Sequence, residues 1–126
     1  MTYYSQDGTL KDGDHVAYWF RTLLDAIRGL GMEPCPGPKL EQWVREAGFT
    51  NVRHIRYSLP IGGWPKEQRL KEIGMFNLHQ MLSGLEAYSL RIYSQVLNWE
   101  TDAFNDLLHK VKKDLMNKKM HAQYDL

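Results

Sequence analysis

The chain has 126 residues, 43% of them hydrophobic and 25% charged, with 16 basic against 15 acidic side chains and a formal net charge of +1. One globular domain, 1–126, is expected: a chain of this size buries about two-thirds of its unfolded surface and is too short for two domains. The balanced charge excludes the broad basic footprint of a nucleic-acid binder, no run reaches the ~18 apolar residues of a membrane span, and the polar start Met1–Gly8 is no signal peptide, so an intracellular, cytoplasmic protein is expected.

In chain order, Asp14 is placed to cap a first helix near 14–30. Its stripe of Val16, Trp19, Phe20, Leu23, Ile27 and Leu30 recurs at helical spacing. Pro34-Cys35-Pro36-Gly37-Pro38 is a rigid connection, and Cys35, the single cysteine, has no internal disulfide partner. A second helix near 39–47 carries Leu40, Trp43, Val44 and Ala47 on one face, with Gly48 as its left-handed cap. Alternation over 51–59, with Ile55, Tyr57 and Leu59 on one side, predicts a strand.

Beyond the turn Pro60–Pro65, the proline-free stretch 66–98 predicts one long helix or two abutting ones, with Gly84 as the joint. So much of its circumference is apolar that burial by a second subunit is expected. A last helix near 101–118, capped by Thr101 or Asp102, buries Phe104, Leu107, Leu108, Val111 and Leu115. Its lysines 110, 112, 113, 118 and 119 alternate with Asp106 and Asp114 and read as a solvated face. The tail from Met120 predicts a short strand beside 51–59. The fold class is therefore α+β and mostly helical, with a small two-strand sheet.

Several blocks together resemble one family. They are Asp7-Gly8-Thr9-Leu10, Glu46-Ala47-Gly48-Phe49, Leu59-Pro60-Ile61-Gly62-Gly63-Trp64-Pro65-Lys66, Leu70-Lys71-Glu72-Ile73-Gly74, Gly84-Leu85-Glu86-Ala87-Tyr88 and His121-Ala122. In this order they are similar to the C-terminal half of fungal LaeA-like class I methyltransferases, over nearly the whole chain. The resemblance implies the last part of a Rossmann-like sheet and the helices that wall a substrate pocket. It also implies that the cofactor-binding half is missing. The Gly29-Leu30-Gly31 run closes a helix and Gly62-Gly63 precedes a Trp-Pro turn, so neither suits the glycine-rich cradle that S-adenosylmethionine requires. Not a full Rossmann fold, no cofactor, and no metal ligand set among the five unpaired histidines are expected.

Candidate chemistry rests on a few side chains. Asn77 lies among apolar positions, either as a satisfied inter-helix amide or as a group that orients a substrate carbonyl. His79 shares a helix face with Glu72 and Glu86, and His15 stands near Tyr18 and Trp19; each is an acid/base candidate or an exposed helix residue. Trp19, Trp64, Met75 and Tyr88 are the candidate apolar walls of a substrate site, with ordinary core packing as the alternative.

These residues support two functions. One is a cofactor-independent cyclase or isomerase of secondary metabolism, in which confinement and one or two hydrogen bonds promote reaction of a small hydrophobic molecule. The other is a non-catalytic binding or assembly subunit that completes or regulates a separate methyltransferase chain. A homodimer is expected in either case, because the apolar faces exceed what one short sheet can bury.

Overall fold

A computed structural model describes residues 3–126. The elements are β1 (Tyr3–Tyr4), α1 (His15–Gly29), α2 (Gly37–Glu46), β2 (Ser58–Pro60), α3 (Gln68–Arg91), a π-helical turn (Ile92–Val96), α4 (Thr101–Leu115) and β3 (Gln123–Asp125). The class is α+β and mostly helical. Its sheet is antiparallel, with β3 in the middle of the order β1-β3-β2.

The sheet has three strands where the sequence suggested two, because Tyr3 and Tyr4 pair with Tyr124 and Gln123. The strand expected over 51–59 is much shorter. Leu59 lies opposite Tyr124, and the backbone of Tyr57 exchanges hydrogen bonds with Leu126 at 2.9 and 2.8 Å. Residues 52–56 form no regular structure, since a strand exists only where another backbone takes its hydrogen bonds. Pro60, which has no amide to donate, sits on the edge strand where that lack is tolerated.

The helix stripes build one core. Val16 and Trp19 of α1, Leu85 of α3, Tyr93 of the π turn and Val111 of α4 are all buried to within 1% exposure. The π turn widens the helix so that Tyr93 points inward. Its hydroxyl donates to the Trp19 carbonyl at 2.9 Å, and its ring meets Trp99 edge-on at 5.0 Å.

Three local expectations change. Asp14 does occupy the N-cap position of α1, but its carboxylate accepts from the Lys11 amide instead. The free α1 amide of Val16 donates to Asp114 Oδ2 of α4 at 3.2 Å, so a tertiary contact supplies the cap. At the start of α4 the N-cap is Glu100, and neither Thr101 nor Asp102 holds that position. Gly84 is no joint, because α3 runs unbroken through it. The Tyr88 ring lies over Gly84, where a Cβ would come within 2.6 Å of it.

The ends of α1 and α2 follow the sequence. Gly31 and Gly48 take positive φ of 78° and 92°, and the amides of Met32 and Phe49 reach back to Ile27 and Val44 at 3.4 and 3.3 Å. Both are Schellman closures. Helix α2 nevertheless buries none of its residues: Leu40, Trp43 and Val44 are 44%, 43% and 37% exposed. Across an open cleft, Leu40 and Val44 face Val52 and Ile55.

Candidate functional site

Helix α3 divides the molecule, with a hollow on each side. The first, about 250 Å³, lies between α1 and α3 over the β1–β3 pair. Three sequence candidates line it: Trp19 from α1, and Asn77 and Tyr88 from α3. The helical period brings Asn77, Met81 and Tyr88 to one side of α3, while α1 presents Trp19 and Phe20 from the other wall.

Sequence reading missed Tyr3, Gln80 and Tyr124, which complete the lining. Tyr3 stacks on Phe20 with centroids 4.1 Å apart, and its hydroxyl donates to the Met81 sulfur at 3.1 Å. Burial pushes the Tyr3 and Tyr124 phenols above their ordinary pKa, so both remain neutral donors. The tail alternation signals Tyr124, but its register against Tyr3 is a long-range property that no local pattern carries.

Asn77 is tied at both ends of its amide. Nδ2 donates to the Pro60 carbonyl at 2.9 Å, and Oδ1 accepts from the Tyr124 hydroxyl at 3.3 Å. The side chain joins α3 to β2 and β3 and leaves one Nδ2 proton for a ligand. At the mouth, Gln80 Nε2 stands 3.5 Å from the Tyr88 hydroxyl, and Tyr88 is half exposed. The cleft can therefore hold a flat, apolar group and offer neutral donors to a carbonyl or hydroxyl on it.

The other candidates lie elsewhere. Trp64 and Met75 line the second hollow, about 460 Å³, between α3, the Gly62–Gly63 turn and the end of α4. Trp64 is held firmly there: its Nε1 donates to the Ala122 carbonyl at 3.2 Å, and its ring stacks on His121 at 5.0 Å. His121 Nδ1 in turn lies 2.5 Å from Asp7 Oδ2, and its backbone amide donates to Thr9 Oγ1. The Asp7-Gly8-Thr9 and His121-Ala122 blocks thus meet in space as one clamp.

Neither acid/base histidine reaches the aromatic cleft. His15 sits at the exposed start of α1, 3.4 Å from Asp114 Oδ2, in a hollow shared with Lys110 and Lys113. His79 is exposed on α3 and lines none of these hollows. Glu72, its proposed carboxylate partner, accepts from Gln68 instead. A shared helix face fixes direction and says nothing of depth.

Among the described residues no group of three or more His, Cys, Asp or Glu is placed to hold a metal. No helix of the described residues is long and apolar enough to cross a membrane. Gly31 closes α1, and the Gly62 amide is already bonded to the Gly74 carbonyl at 2.8 Å.

The described residues form a helix-rich α+β body with an aromatic cleft between α1 and α3. The chain is homologous to fungal methyltransferases and LaeA/LAE1 proteins and resembles a C-terminal fragment of them. It is 36% identical over 121 residues to "Probable methyltransferase tdiE" of Emericella nidulans, a match covering 95% of this chain and 38% of that protein. To "Methyltransferase pytC" of Aspergillus terreus it is 34% identical over 122 residues, covering 97% and 38%. To "Secondary metabolism regulator LAE1" of Cochliobolus heterostrophus it is 26% identical over 117 residues, covering 92% and 38%. The chain thus spans little more than a third of the length of these relatives. No family model and no solved structure matches it.

Proposed function

We propose that this chain is the substrate-side part of a secondary-metabolism methyltransferase. It holds a small hydrophobic molecule in the α1–α3 cleft and presents α2, with residues 49–57, to a cofactor-binding part. The observation that carries this reading is α2 itself. An amphipathic helix gains most of its stability by covering its apolar stripe, yet the stripe of Leu40, Trp43 and Val44 is open. Beside it the alternating segment 52–56 has no strand partner, which is the other half of a surface made for a sheet. The greater length of the relatives supports a partner of that kind, carried by the rest of a longer polypeptide or by a separate chain.

When bound to such a part, S-adenosylmethionine supplies an electrophilic methyl group. The residues of this chain bind and orient the acceptor: Trp19, Phe20 and Tyr3 enclose its apolar face, while Asn77 and Tyr88 direct a carbonyl or hydroxyl toward the mouth. The test is co-expression with the cofactor-binding region of the Emericella nidulans relative. A stable complex that binds S-adenosylmethionine is expected, and two components that purify separately would overturn the reading.

A cofactor-independent cyclase or isomerase working in the same cleft is the second reading. The observation in its favour is the meeting of Trp19, Asn77 and Tyr88 around one apolar space. It requires turnover of a quinone or polyene by this chain alone, lost in Asn77→Ala. The exposed face of α3, where Phe76 is 77% and Met75 51% exposed, is the surface that a homodimer would cover. Light scattering at micromolar concentration distinguishes that dimer from a monomer.

A further inference from the structure

The hollow on the far side of α3 has a composition unlike the aromatic cleft. Its floor is Ile61, Leu78 and Leu115 with the flexible side chains of Met75, Met116 and Met120, and its volume of about 460 Å³ is that of a small-molecule site. The charged residues on its lining are Lys71 from α3 and Lys118 from beyond α4, and no carboxylate is among them. Neither lysine forms an ion pair among the described residues, so both ammonium groups are available to an anion.

We propose that this hollow binds an amphipathic carboxylate, a hydrocarbon chain lying on the methionines and its anionic head held by Lys71 and Lys118. Lys71 is partly buried on α3 and Lys118 stands at the exposed rim, so the two can hold an anionic head at the mouth while the chain lies on the apolar floor. Methionine-lined surfaces adapt to chains of different shape. Gly63 lets Met75 pack against the turn: a Cβ there would stand 2.9 Å from Met75 Sδ and 3.8 Å from Lys71 Cγ, so a side chain at this position would displace Met75. One wall is fixed by Trp64 through its bond to Ala122 and its stacking on His121. This site does not depend on whether α2 docks a cofactor-binding part.

The test is calorimetric titration of the whole chain with octanoate, 1-octanol and octylammonium. Octanoate should bind with one site per chain, about tenfold tighter than 1-octanol, while octylammonium is rejected. In a Lys71→Gln/Lys118→Gln variant the preference over 1-octanol should disappear with the alcohol's own binding unchanged. Gly63→Leu, which pushes the Met75 side chain into the hollow without a left-handed backbone, should remove binding of both. If Gly63→Leu fails to fold by circular dichroism, Met75→Trp fills the same space from α3. Equal affinity for octanoate and 1-octanol, survival of binding in the filled variant, or no binding of octanoate at all would overturn the proposal.

Discussion

Gly74 of α3 stands so close to Gly62 that a Cβ on it would lie 2.0 Å from the Gly62 carbonyl oxygen. The Gly62 amide, in a turn with φ of 99°, donates to the Gly74 carbonyl at 2.8 Å. This contact seats α3 against the turn after β2 and so sets the positions of both hollows.

Gly74→Ala therefore forces backbone apart, because the obstructing atom belongs to the main chain and cannot swing away. A loss of about 3 kcal/mol is expected, read as a lower midpoint in urea with unchanged slope. An unaltered midpoint would show that the two segments are not packed this closely in solution.

Asn77 links α3 to both β2 and β3, so its removal leaves the Pro60 carbonyl and the Tyr124 hydroxyl short of a partner. Asn77→Ala should cost about 1–3 kcal/mol, and Tyr124→Phe less, since it removes one bond and orphans only an amide oxygen. Equal losses in the two variants would place the Pro60 bond outside the folded state.

Helix α1 is capped from α4. Asp114→Ala should lower stability by about 1 kcal/mol, the usual scale for losing a capping carboxylate, and should do so more than Asp14→Ala. The reverse order would return the cap to Asp14.

Asp7 contributes to acid sensitivity together with Glu33, Glu41, Asp106 and Asp125, whose carboxyls are also held below their ordinary range by hydrogen bonds and nearby charges. The Asp7 carboxylate accepts from the Thr9 hydroxyl and faces His121, and these bonds lower its pKa from 3.8 to about 2. A carboxyl whose pKa is lower in the folded state stabilises the fold above its unfolded value, and that contribution is lost as pH falls through the folded one. The melting temperature should drop between about pH 4 and pH 2, and Asp7→Asn should flatten that part of the profile. The same slope in the variant would move the acid transition to another carboxylate.

Helices α1 and α4 were legible because their apolar stripes repeat at the helical period, α3 because its stretch is long and free of proline, and the positive φ of Gly48 follows from its place after the last stripe residue of α2. Alternation over 51–59 was equally clear, yet alternation states only which face a strand would present. Its partner must come from elsewhere, and here it covers Tyr57 to Ile61 alone. The same limit hid Tyr3–Tyr4. Gly84 was misread because a glycine in a helix admits two explanations, a bend or a ring packed on it, and Tyr88 supplies the second. Trp19, Asn77 and Tyr88 meet because they occupy the facing sides of α1 and α3. Trp64 and Met75 fall on the opposite side of α3, and the histidines lie at helix ends or on solvated faces.

If α2 and the segment after it form a docking surface, amide hydrogen exchange over residues 37–57 will respond to the partner that covers them. With no buried side chain in α2, its amides should exchange quickly in the isolated chain. Adding the cofactor-binding region of the Emericella nidulans relative should slow them by about tenfold or more, while Trp43→Glu abolishes the protection. Exchange over 37–57 that stays the same with and without that partner would rule out docking on α2.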